Sequence, residues 1–190
     1  VKVTLKEAFD IIPDCRRAEG KRHSLSLILI ITLMSMMSQG YTLRSIEAFV
    51  NRHRKALIKY LKVPKGRLPS LATIRRTLMQ VDFMEVSKAL KFWIVENGLI
   101  VENEWISIDG KCIKSSITDY NNQNQNFVSV VTAFVHNKHI ALMSDMFESK
   151  KTSEVDVVER LISSLGLQGV TFTLDALHAK KNAKLDCSNQ

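Results

Sequence analysis

The sequence predicts a two-part α+β chain: a helical part over residues 1–100, then a three-stranded antiparallel meander, a crossover helix and a parallel strand over residues 101–190. Three observations carry this reading. Apolar residues recur at helical spacing as far as Gly98, short strand-like runs replace them after residue 100, and the charge divides at the same place. Residues 1–100 hold 18 Lys and Arg against 8 Asp and Glu, whereas residues 101–190 hold 9 against 11, so a net +8 resolves into +10 and −2.

A length of 190 residues with 45% hydrophobic content is enough for a packed core, which excludes a disordered tail or a disulfide mini-protein. With 7 Gly and 3 Pro, collagen-like and low-complexity chains are excluded too. Cys15, Cys112 and Cys187 form neither a CxxC pair nor a disulfide framework, and the expectation is a reducing, cytoplasmic setting. The most apolar stretch, Leu25–Met37, has 13 residues. A membrane span needs roughly 18 or more, so the stretch reads as a buried helix, and its flanks do not suit a signal peptide.

The elements follow in order. Leu5, Ala8, Phe9, Ile11 and Ile12 give a short amphipathic start, and a polar stretch through Arg16-Arg17 and Gly20-Lys21-Arg22-His23 leads into the apolar helix. That helix stops near Gly40, with Met34, Met36 and Met37 read as core filling. Thr42 can cap a helix carrying Ile46, Phe49, Val50, Leu57, Ile58 and Leu61, which Pro64 and Gly66 end. Ser70 caps a short helix bearing Arg75 and Arg76; Asp82 with Glu85 is a capping-box pattern opening a helix over 83–97. In the second half, strands are expected over 105–108, 127–135 and 139–147, with a polar loop over 119–126 and a turn at Asn137-Lys138. A helix over 153–165 ends at Gly166, and a last strand over 170–174 runs into Asp175. A crossover of this kind returns the last strand parallel to the first.

Charge points to a polyanion. Between residues 44 and 76, Arg44, Arg52, Arg54, Lys55, Lys59, Lys62, Lys65, Arg67, Arg75 and Arg76 face a single acid, Glu47. Lys and Arg are surface residues in any protein, but so one-sided a run favours a DNA or RNA surface with salt-dependent affinity. Short helices with tight turns suit a helix-turn-helix and a basic helical bundle equally well.

The second half points to metal chemistry. Asp109 and Asp175 follow strands that run the same way, so both carboxylates are expected at one edge of the sheet, able to share a metal if those strands pair. Carboxylates closing buried apolar strands repel each other unless protonated or bridged by a cation. Hard oxygen ligands favour Mg2+ or Mn2+, and the chemistry would be two-metal phosphoryl transfer. Gly110 would admit substrate near the backbone, and Lys111, Lys114, Lys180 and Lys181 can hold phosphates. The competing account makes either Asp a turn residue. His136 and His139 read as flanking a turn rather than ligating metal, His178 can touch substrate or sit on the surface, and Cys112 has no support as a nucleophile.

Several runs share an order with one family: Gly20-Lys21-Arg22-His23-Ser24-Leu25, Leu68-Pro69-Ser70 with Thr73-Ile74-Arg75-Arg76, Ile108-Asp109-Gly110-Lys111, the Lys-Lys-Thr-Ser-Glu run ending at Glu154, and Thr173-Leu174-Asp175-Ala176. In these the chain resembles the H-repeat-associated (ISAs-type) insertion-sequence DDE transposases, over nearly its whole length to Lys181. The resemblance implies a transposase-associated DNA-binding helical domain over 1–100 and a partial ribonuclease H-like DDE core over 101–190. It implies Asp109 as first and Asp175 as second catalytic acid, binding Mg2+ or Mn2+ for cleavage of transposon ends and strand transfer. Transposon ends and target DNA are the implied partners, with homo-oligomers, no membrane, and nucleoid association when DNA-bound. Two departures accompany it. The Lys-Ser-Asn-Glu usual in the family is Lys151-Thr152-Ser153-Glu154 here, and only 15 residues follow Asp175, with no match to the helix that bears the third acid. The expectation is a truncated, catalytically incomplete copy. A second function class is a non-enzymatic DNA-binding protein that competes with intact transposase at element ends.

Overall fold

The computed structural model describes residues 2–99, 103–117 and 126–175. Most of the polar loop over 119–126, together with His178, Lys180, Lys181, Cys187 and the last residues, lies outside them. The chain divides into two compact units, Val1–Ala89 and Leu90–Gln190.

Local capping chemistry starts the helices of the first unit where the sequence places them. Thr4 and Glu7 form a capping box for α1 (Leu5–Asp10), and Ser24 accepts from the Leu27 N–H to open α2 (Leu25–Met37). Thr42 accepts from Ser45 N–H at the start of α3 (Leu43–Arg52), and Ser70 from Thr73 N–H at the start of α5 (Leu71–Leu78). Each such bond satisfies an amide that the first turn leaves without a helical partner. Between α3 and α5 lies α4 (Arg54–Tyr60), and α6 (Phe83–Glu96) follows, spanning the division between the units. The Asp82 carboxylate accepts from Met84 N–H, while Glu85 pairs with Lys88.

One expected helix is two. The run after Thr42 breaks at His53 (φ −101°, ψ 14°), between α3 and α4. Asn51 and His53 are weak helix formers, and Arg52, Arg54 and Lys55 crowd like charges around them, so helical propensity is lowest there. The His53 ring sits 4.7 Å from that of Phe49.

Helix α2 is the centre of this unit. Leu27, Ile28 and Ile31 pack with Ile46, Val50, Leu57, Val63 and Ile74 from the surrounding helices and loop. Burial on nearly every side of its first turns explains why the helix lacks a polar face. Its buried hydroxyls are satisfied locally: Thr32 Oγ1 donates to the Ile28 carbonyl at 2.9 Å and Ser35 Oγ to that of Gly40 at 3.3 Å. The core-filling reading of the methionines is corrected, since Met34, Met36 and Met37 are all exposed. The last turn of α2 runs past the apolar cluster instead of ending in it. Gly40 then reverses the chain so closely that an added Cβ would lie 2.4 Å from Ser35 Oγ and 3.0 Å from the Ser35 carbonyl oxygen. Because backbone resists movement, Gly40→Ala is expected to lower unfolding stability by about 1–3 kcal/mol, read by urea denaturation.

The polar stretch between α1 and α2 is clamped by a buried arginine. Arg16 donates to both Asp14 carboxylate oxygens at 2.8 and 2.7 Å, to the Gly20 and His23 carbonyls at 3.2 and 2.9 Å, and to Thr77 Oγ1 of α5 at 3.2 Å. This bonding to Arg16 holds the Asp14 carboxyl below its usual range, and burial, reinforced by Arg22 and Arg16, pushes the His23 imidazole down. Both shifts act in the same direction with pH, because in each case the unfolded chain binds the proton more readily. Stability is therefore expected to fall as pH drops below about 6.5, through His23, and again below about 3.9, through Asp14. Asp14→Asn should make the second stage of that decline shallower, with Glu7, Asp10 and Glu148 still contributing to it, and cost about 1–3 kcal/mol at neutral pH, both read from denaturation curves across pH.

In the second unit β1 (Trp105–Ile113), β2 (Val128–Val135) and β3 (Ile140–Glu148) form an antiparallel meander. Helix α7 (Glu154–Leu165), capped by Ser153, crosses over to β4 (Thr171–Thr173), which pairs with β1 in parallel. The sheet order is β3-β2-β1-β4. Alternation puts Ile106 and Ile108 of β1, and Ser129, Val131, Ala133 and Val135 of β2, on the buried face. Val157, Val158, Leu161 and Leu165 of α7 are buried as well, and α7 packs on β2 and β3. A bulge opposite Ala133 and Phe134 lets the consecutive Leu142 and Met143 of β3 both be buried.

Candidate functional site

The expected end of the first strand is corrected: β1 runs on to Ile113, so Asp109 lies inside it, opposite Thr132 of β2. Hydrogen bonding to β2 carries the strand through Asp109-Gly110-Lys111, which reads as turn punctuation in isolation. The turn reading therefore does not apply to Asp109. Aspartate is depleted from strand interiors, so its presence there calls for another reason.

The parallel register supplies the neighbour. Trp105, Ile106 and Ser107 pair with Thr171, Phe172 and Thr173. Asp109, inside β1, and Asp175, past the end of β4, each stand two residues beyond the last pair, and the expected strand end at residue 174 is corrected to Thr173. Neighbouring strands run about 4.8 Å apart, so the pairing of Ser107 with Thr173 sets the two chain segments side by side. The premise of burial is corrected as well: Asp109 is 70% exposed at the side chain, with Lys111 Nζ 3.7 Å from its Oδ2, and Asp175 is exposed. Repulsion between desolvated carboxylates is thus not what marks the pair; position is.

A further acid approaches the same strand. Glu154, the first residue of α7, lies so close over Gly110 that a Cβ there would meet its Oε1 at 2.3 Å. Gly110 is the residue that lets this carboxylate rest on the backbone next to Asp109, and nothing in the spacing of the sequence connects the two. Among the described residues no group of three or more His, Cys, Asp and Glu side chains is gathered in a way that could hold a metal ion.

Lys111 is exposed on β1, two residues from Asp109 and on the same face, and Lys114 is exposed in a 3-10 turn, Lys114–Ser116. His136 opens a 3-10 turn, His136–Lys138, and His139 follows it, so both flank Asn137-Lys138, with rings 6.1 and 6.3 Å from that of Phe134. Cys112 is exposed.

The expected nucleic-acid residues lie on the first unit, apart from Lys111 and Lys114. Arg44 and Arg52 are on α3, Arg54, Lys55 and Lys59 on α4, Arg67 on the following loop, and Arg75 and Arg76 on α5; all are exposed. Helix α3 packs against both α4 and α5. Only His53 separates α3 from α4, too short a link for the three- or four-residue turn of a helix-turn-helix between those two.

Comparison with known proteins places relatives beside this geometry. Residues 6–94 match the family described as DDE_Tnp_1-associated. The chain is 27% identical over 179 residues to a protein of Escherichia coli O157:H7 named "Putative transposase YncI", covering 94% of this chain and 45% of that protein. To the protein of the same name in E. coli strain K12 it is 26% identical over 179 residues, covering 94% of this chain and 71% of the relative. An "Uncharacterized protein in dhlA 3'region" of Xanthobacter autotrophicus is 26% identical over 180 residues, 93% of this chain and 59% of that one. The chain thus spans under half the length of the first of these relatives. The matches support an insertion-sequence transposase of the type the sequence resembles, through the N-terminal region.

Proposed function

We propose, from a chain whose N-terminal region is that of an insertion-sequence transposase, that these residues combine a DNA-binding helical unit with part of a DDE-type catalytic core. In this reading Asp109 and Asp175 are the first two metal-binding acids and the reaction is cleavage and joining of transposon-end DNA. The observation that carries it is the parallel pairing of β1 with β4, which sets side by side the two segments whose acids are 66 residues apart in sequence. The order β3-β2-β1-β4, with an acid inside β1 and another just beyond β4, supports the partial ribonuclease H-like core of this reading.

The donor set suits Mg2+ or Mn2+. Carboxylates are hard oxygen ligands, and Mg2+ commonly takes only one or two from the protein while phosphate oxygens and water complete its shell. When bound, such ions activate a water or a 3′-hydroxyl and stabilise the leaving oxygen. The chain's own part is to fix Asp109 by its pairing with β2 and to place Lys111 on the same face, where its ammonium can meet a phosphate. Homo-oligomers are expected in this reading, since joining two transposon ends needs both to be held. No helix of the described residues is long and apolar enough to cross a membrane.

The test is Mn2+ titration of the intact chain and of its Asp109→Asn and Asp175→Asn variants. Metal binding that both substitutions abolish supports the reading. Duplex DNA binding without metal binding would favour the non-enzymatic protein that competes at element ends, since the basic unit does not depend on the acid pair.

A further inference from the structure

Two basic doublets, Arg16-Arg17 and Lys21-Arg22, lie in the stretch between α1 and α2, outside the basic run over 44–76. Arg16 is buried, and its five N–H groups make the five bonds described above, so its charge is committed to the fold. The consequence falls on its neighbours. With the stretch clamped to Thr77 of α5, Arg17 and Arg22 are left exposed, and with Arg76 they line a cleft of about 960 Å3 within the first unit.

The lining has the chemistry of an anion site. Among the described residues no carboxylate pairs with Arg17, Arg22 or Arg76, and Glu19 is the one acid along the cleft wall. Arg76 is steadied by its Nε, which donates to the Ala72 carbonyl at 3.2 Å. A guanidinium offers a planar fork of donors that matches two oxygens of one phosphate, and three of them around a concave surface suit successive phosphates of a strand better than a flat ligand. The cleft is also built before any ligand arrives, because Arg16 has already ordered the loop during folding, which spares binding that entropy.

We propose that this cleft is a phosphodiester site that holds the backbone of a DNA strand through Arg17, Arg22 and Arg76. The inference rests on the DNA-binding reading above and extends it from Arg76 to Arg17 and Arg22, which lie outside the basic run. It assigns no base recognition to the cleft, since phosphate contacts position a protein on DNA without reading its sequence.

The experiment is a fluorescence-anisotropy titration of the full chain with a labelled random-sequence duplex and with a labelled single strand, over a series of KCl concentrations. The comparison is with Arg17→Gln/Arg22→Gln, both exposed positions at which the fold should be indifferent, checked by far-UV circular dichroism. The double variant is expected to bind about tenfold or more weakly and to lose about 2 from the slope of log affinity against log salt, as expected for two lost phosphate contacts. Arg17→Lys/Arg22→Lys should recover most of the slope. Inorganic phosphate, added at constant ionic strength, separates the two sources of the same chemistry. If it shifts the amide resonances of residues around the cleft while DNA affinity ignores the double variant, the cleft takes small anions and the proposal fails. If DNA binding depends on Arg52, Lys55 and Lys59 but not on Arg17 and Arg22, the proposal fails and the wider reading stands. No binding of either probe by the unaltered chain overturns both.

Discussion

Reversing charge at Arg52, Lys55 and Lys59 together is expected to weaken duplex DNA binding by about 100-fold or more near physiological salt. All three are exposed, on α3 and α4, in a unit whose basic run contains one acid, Glu47. Lys55 and Lys59 are four residues apart on α4, so they share a helix face. Lys59 Nζ also sits 5.5 Å from the ring of Tyr60, an exposed aromatic beside the cation. Each phosphate neutralised contributes about 0.9 to the slope of log affinity against log salt, so the triple reversal should lower that slope by about 3 and add repulsion. The measurement is an anisotropy titration across KCl concentrations, with thermal melting as a check that exposed substitutions leave the unit folded. An unchanged slope would mean that Arg52, Lys55 and Lys59 make no phosphate contact.

The second large effect concerns metal. Asp109→Asn or Asp175→Asn is expected to lower Mn2+ affinity beyond the roughly 10–100-fold that loss of an outer-shell partner costs, because each removes a charged oxygen ligand outright. Stability should change little at Asp109, since its side chain is exposed and asparagine keeps the strand's shape. Titration calorimetry reads the affinity, and a denaturation curve confirms the fold. The same substitutions should leave DNA affinity in the absence of metal unchanged, which separates the acid pair from the basic helices.

Features decided by neighbours in sequence were legible from it. Thr42 and Ser70 mark helix starts because a capping hydroxyl reaches an amide only two or three residues on. The crossover helix and the parallel last strand followed from alternating patterns and handedness. Features decided by distant partners were not legible. Asp109-Gly110-Lys111 looks like a turn, and only the ladder with β2 keeps it extended. Glu154 resting on Gly110 joins residues 44 apart, with no pattern between them. Arg16 and Arg17 are indistinguishable in sequence, yet one is buried in five hydrogen bonds and the other faces a cleft. The exposed Met34, Met36 and Met37 show the converse, since apolar character does not say where a helix outruns its core.

In the proposed function Asp109 and Asp175 form one divalent-metal site beside β1 and β4. Its most direct measurement is paramagnetic broadening of backbone amide resonances by substoichiometric Mn2+ in the intact chain. The expected result is broadening that centres on residues 108–111 and 173–175 together and disappears in both Asp109→Asn and Asp175→Asn. Broadening at only one of the two segments, or broadening that survives either substitution, would contradict the claim.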